Sequence, residues 1–127
     1  MIRGIRGATT VEHDDAEAII CATMELLEQM ARENGIDPEE MASIFFSLTP
    51  DLSAAFPAEA ARKLGWKYVP VICMRELAVP NALPKAIRII MMAETAVSQR
   101  AVRHIYLRRA ESLRTDLEAA EGDQHVI

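Results

Sequence analysis

The segment Ala86-Ile87-Arg88-Ile89-Ile90-Met91-Met92 is apolar on both faces of any strand it forms, with one arginine in its middle. Such a strand must be covered on both sides. The chain has 127 residues and only one stretch long enough for a substantial helix. That helix can cover one face of a sheet; further copies of the same chain are the expected cover for the other, as in most symmetric oligomers. The arginine adds a second demand. A guanidinium cannot shed its proton, burying it unpaired is costly, and an anion has to meet it.

Two more arginines share this setting: Arg6 in Ile5-Arg6-Gly7-Ala8, and Arg103 in Val102-Arg103-His104-Ile105-Tyr106-Leu107. Only Glu76, in Cys73-Met74-Arg75-Glu76, and Glu94 lie in or beside apolar strand-like segments. Arg6 and Arg88 either pair with these carboxylates or meet a negatively charged small molecule, and the surplus of arginines favours the ligand. Arg103 alternates to the face opposite His104 and Tyr106, which suits a surface or interface position better.

The order of elements is legible from periodicity. Residues 2–11 form a first strand with Ile2, Gly4, Arg6 and Ala8 on one face. Ala16, Ile19, Ile20, Thr23, Leu26, Leu27 and Met30 then recur at helical spacing, with Asp14 and Glu17 as a capping pair and Gly35 as the stop. Asp37-Pro38-Glu39-Glu40 predicts a helical turn, Met41 to Leu48 a second strand, and Pro57 to Gly65 a short helix. Tyr68 to Met74 is the third strand, with Pro70 where the ladder needs no amide. Residues 77–85 form a loop, Ala86 to Ala93 a fourth strand and Val102 to Leu113 a fifth.

Half of the residues are hydrophobic, enough for one domain with a real core. The net charge is -5, with acids concentrated over 12–40 and after Leu117, which argues against nucleic acid as a partner. No run approaches the roughly 20 apolar residues of a membrane span, and nothing resembles a secretory leader, so a cytoplasmic protein is expected. Cys21 and Cys73 fit no metal or disulfide pattern, and no dinucleotide, P-loop, serine-hydrolase or zinc-protease motif is present. Neither a metal nor a cofactor is expected.

Several residues have two readings. Glu76 is either a strand-end surface acid or a carboxylate that steadies a guanidinium and accepts a substrate hydroxyl. Tyr106 is a core tyrosine or a ligand contact. Cys73 suits a small core position better than a nucleophile, and Phe56 a staple onto its helix. His13, His104 and His125 are scattered singly and suit surface or core.

Taken in order, Arg3-Gly4-Ile5-Arg6-Gly7-Ala8-Thr9-Thr10, Thr49-Pro50-Asp51-Leu52 with Ala55-Phe56-Pro57-Ala58, Val69-Pro70-Val71, Ile87-Arg88, and Arg103-His104-Ile105-Tyr106-Leu107 with Leu113-Arg114-Thr115-Asp116-Leu117 closely resemble the monofunctional bacterial chorismate mutases of the trimeric α/β type. The resemblance covers residues 1–117, one domain, and leaves 118–127 as a flexible acidic tail. It implies an α+β fold: a mixed five-stranded sheet with one long and one short helix, trimerising into a pseudo α/β-barrel with active sites at the subunit clefts. It implies conversion of chorismate to prephenate without a cofactor.

By the same resemblance, Arg88 donates to the ether oxygen of the breaking bond, Arg6 and Tyr106 hold the side-chain carboxylate, and Glu76 accepts the ring hydroxyl and orients Arg88. Cys73 lies against the ring, Phe56, Ala58 and Leu113 form apolar wall, and Arg62 and Arg114 supply basic groups near the mouth and the ring carboxylate. Glu59 and Ile72 stand where the family can carry a lysine and a threonine. The rivals are an oligomer that only binds small carboxylates, and a small trimeric imine deaminase, whose sequence pattern is absent.

Overall fold

The computed structural model describes residues 1–113. Arg114 and the expected tail over 118–127 lie outside the described residues. Five strands form one mixed sheet: β1 (Ile2–Thr10), β2 (Met41–Leu48), β3 (Val71–Arg75), β4 (Ala86–Glu94) and β5 (Ile105–Tyr106), in the order β3-β2-β4-β1-β5. The doubly apolar β4 takes the centre, antiparallel to both β1 and β2. The flanking strands β3 and β5 run parallel to β2 and β1.

Helix α1 (Ala16–Asn34) lies across one face of the sheet, burying Ile19, Ala22, Leu26, Leu27 and Met30. Its approach to β1 is close enough that a Cβ on Gly7 would run into Met30 Sδ and lie 3.2 Å from Leu26 Cδ1. Gly35 ends the helix in the left-handed conformation (φ 62°), its N–H donating to the carbonyls of Ala31 and Arg32. The short helix α2 (Glu59–Lys63) covers the same face, and Ala58, Ala60 and Ala61 join Phe46, Ile89 and Met91 in the core. The α+β architecture inferred above is the one observed.

Three local expectations differ. The cap of α1 is Asp15, whose carboxylate accepts the Ala18 N–H at 2.9 Å, and not the pair Asp14 and Glu17. Asp14 instead accepts the amides of Ser53 and Ala54, a long-range contact that local spacing does not reveal. The third strand begins at Val71, leaving Tyr68 and Pro70 outside; Pro70 lacks an amide but its carbonyl still accepts the Ile44 N–H. The fifth strand is two residues long and does not reach Leu113. Its pairing with β1 ends when Leu107 N–H donates to Ala8, because Arg108 turns the backbone to φ 54° and opens a 3₁₀ turn over Arg108–Ala110.

Candidate active site

Cross-strand register decides which side chains meet. Paired residues share a face, and one row crosses the whole sheet: Met74, Ser47, Arg88, Ala8, Tyr106. The next row on that face is Ile72, Phe45, Ile90 and Arg6. Both rows lie on the side away from α1. The row between them, through Cys73, Phe46, Ile89 and Gly7, points into the helix-covered core.

A cavity of about 540 Å³ sits on the open face, lined by Arg6, Ser47, Met74, Arg88, Tyr106 and Leu113 among others. Arg6 and Arg88 stand on neighbouring strands in diagonal register, a backbone separation of about 7–8 Å. Two fixed positive charges on rigid strands therefore face one space. Tyr106 is buried against Ala8, with Leu113 packed on the same cluster.

Arg88 and Glu76 form a loose ion pair, Nε to Oε1 at 3.8 Å, each side chain about a quarter exposed (28% and 26%). Arg88 Nε is buried and makes no hydrogen bond within the described residues. The same Glu76 oxygen accepts the Ser47 hydroxyl at 2.5 Å. The Glu76 amide donates to Leu48 just past the end of β3, which brings its carboxylate to the cavity's edge. Glu94 is engaged elsewhere, by the N-terminal ammonium at 2.7 Å. Arg103 is a surface residue, 70% exposed and paired with Glu33 at 3.5 Å.

Arg6 is held through its backbone as well as its strand. Its N–H donates to His104 Nδ1 at 2.9 Å, so the ring extends the short β5 ladder by one bond. Burial and the nearby Arg6 charge hold the His104 pKa below the usual histidine range, keeping the ring neutral with the proton on Nε2.

The other expected site residues do not join this cavity within one chain. Phe56 is exposed at the entrance to α2, Ala58 is buried, Arg62 is exposed on α2, and Cys73 faces the α2 side of the sheet. Burial pushes the Cys73 thiol up, against the smaller pull of the Ala58 amide and the Arg62 charge; it is a thiol at neutral pH and no nucleophile. The loop before α2 is anchored by Arg75, whose Nη1 donates to the carbonyls of Thr49 and Leu52. Asp51 is a second anchor: burial would raise its pKa, but the Thr49 hydroxyl and the Lys85 amide outweigh this and hold it low. Among the described residues no three His, Cys, Asp or Glu side chains cluster as metal ligands, and no helix is long and apolar enough to cross a membrane. Ser47 was missed because a serine in an apolar strand carries no motif; only its register opposite Arg88 reveals it.

The chain as a whole has counterparts among known proteins. Residues 2–117 match the family model for type I chorismate mutase. This chain belongs to that family. The chorismate mutase AroH of Thermus thermophilus is 52% identical over 122 residues, covering 95% of this chain and all of the relative. The AroH of Bacillus subtilis is 49% identical over 125 residues, covering 98% of each. A solved chorismate mutase from Clostridium thermocellum superposes with a TM-score of 0.86 at 44% identity, covering 87% of this chain and 98% of that one. The type I membership agrees with the family resemblance carried by the strand and loop motifs.

Proposed function

We propose that this type I chorismate mutase chain is an isomerase that converts chorismate to prephenate, serving phenylalanine and tyrosine biosynthesis in the cytoplasm as a homotrimer. The observation that carries the reading is the pair Arg6 and Arg88, facing one cavity from adjacent rigid strands, with Arg88 Nε short of a hydrogen-bond partner within the described residues. The reaction is a concerted Claisen rearrangement of a dianion: one C–O bond breaks as a C–C bond forms, and negative charge grows on the ether oxygen. No proton, nucleophile or electron needs to pass to the protein. Catalysis then consists of holding the compact conformer and placing preorganised positive charge where charge develops.

In this reading Arg88 donates to the ether oxygen, Arg6 and Tyr106 bind the side-chain carboxylate, and Glu76 accepts the ring hydroxyl and steadies Arg88. Phe56, Ala58, Arg62, Cys73 and Arg114 complete the wall and the mouth. Several of these stand on the α2 side of the chain, away from Arg88, which favours a site assembled from two subunits. The open face supports the same assembly: Phe45, Ile72, Met74 and Ile90 leave apolar surface uncovered, and trimerisation would bury it.

Purified protein added to chorismate should abolish its absorbance and yield prephenate. Turnover with kcat nearly flat from about pH 6 to 9 and no solvent deuterium effect is expected, since the rearrangement passes no proton to or from the protein. Absence of turnover sinks the reading; a bell-shaped profile with a large isotope effect points to a proton transfer, with His104 the first suspect.

A further inference from the structure

We infer that Ser47 is a positioning residue that keeps the Arg88–Glu76 pair open, so that the guanidinium stays available to the ligand; this rests on the chorismate reading above. The distances motivate it. A charge-assisted bond between a guanidinium and a carboxylate settles at about 2.7–2.9 Å, and this pair commonly closes as a two-pronged fork. Here Arg88 Nε stands 3.8 Å from Glu76 Oε1. That oxygen accepts the Ser47 hydroxyl at 2.5 Å, the short range of an O–H donor to a carboxylate, and this bond holds the carboxylate toward β2 and short of the fork.

The register makes this restraint a built feature. Ser47 pairs directly with Arg88 across β2 and β4 and with Met74 across β2 and β3. Glu76 follows β3 at once, its amide tied to the Leu48 carbonyl at 2.8 Å. The carboxylate is thus fixed at its backbone by the residue after Ser47 and at its head by Ser47 itself. Arg88 is left as the mobile partner, with a buried Nε that makes no hydrogen bond within the described residues. Were the hydroxyl removed, Oε1 would swing to Nε, and the guanidinium would be drawn from the cavity into a closed ion pair.

Thr and Val at position 47 have the same shape and differ in the hydroxyl, which makes them the decisive pair. Ser47→Thr should keep kcat within about threefold of the parent, while Ser47→Val should lose about tenfold or more in kcat with KM little changed, the scale of a lost hydrogen bond to a charged group. A purely structural role would lower the unfolding midpoint of both variants and leave kcat per folded chain alike. In a Glu76→Ala background, Ser47→Val should add less than twofold. A crystal of Ser47→Val should show Arg88 Nε within about 3.2 Å of Glu76. Equal kcat for Val and Thr, or an unchanged Arg88–Glu76 distance, overturns the role. A parent chain without chorismate turnover sinks the functional reading instead, and the distance in the Ser47→Val crystal then decides the positioning role alone.

Discussion

The two faces of this sheet are made from alternate residues of the same strands and have opposite physics. Toward α1 and α2, Ile5, Ile44, Phe46, Ile89 and Met91 are almost fully buried and close-packed. Toward the other side, Arg6 and Arg88 stand half-buried among Phe45, Ile72, Ile90 and Met92, several of them well exposed in the single chain. The covered face is complete within one chain and supplies stability, since each fully buried Leu, Ile, Phe or Met contributes about 1.5–3 kcal/mol. The open face holds charges that such burial would penalise, and its apolar surface is suited to covering by other subunits. A two-residue alternation along β4 therefore separates what holds the chain together from what faces the cavity.

That separation can be tested one face at a time. The largest expected effect is on the open face: Arg88→Lys should lower kcat by about 10²-fold or more, because lysine keeps the charge but loses the planar fork. Its unfolding free energy in urea should move by less than about 1 kcal/mol. A kcat within a few-fold of the parent would remove Arg88 from the chemistry. Next in size is the recovery on mixing two impaired proteins. If Arg88 and Phe56 meet across an interface, random exchange of Arg88→Ala and Phe56→Ala chains leaves about a quarter of the sites intact. A trimer with no recovered activity would place both residues on one chain's site, and an active monomer in sedimentation would end the trimer model.

The covered face should answer in the reverse sense. Gly7→Ala forces Met30 and Leu26 to shift. A loss of about 1–3 kcal/mol in urea denaturation is expected, with kcat per folded chain nearly unchanged. No loss would show that Met30 moves freely and that the contact between β1 and α1 is slack. The smallest effect should come from His104, at the edge between the faces. Its folded pKa lies below the unfolded value, so the folded state binds fewer protons; its contribution is full above about pH 6.5 and is lost as pH falls through the folded pKa. Comparing parent with His104→Gln from pH 7 to 5 should show the parent losing more stability. Parallel curves would remove His104 as a source of acid sensitivity.

Periodicity alone carried most of the architecture. The 3.6-residue spacing from Ala16 to Met30, the glycine stop at Gly35 and the apolar runs of β2 and β4 lie within single segments, where local sterics and side-chain direction act. Alternation alone also separates Arg88 from Ile87 and Ile89. What local pattern could not decide was pairing. The length of β5 depends on Arg108 turning away after one last bond to β1, and the cap of α1 on a loop almost forty residues distant engaging Asp14. The Ser47–Glu76–Arg88 cluster joins three strands through register, and the split between the Arg88 group and the Cys73 group follows from which face each strand presents to the helices. One residue of slip would exchange those faces, so residue order along each strand set which types alternate, and the packing of α1 and α2 on one side decided which set became core and which stayed open toward the cavity.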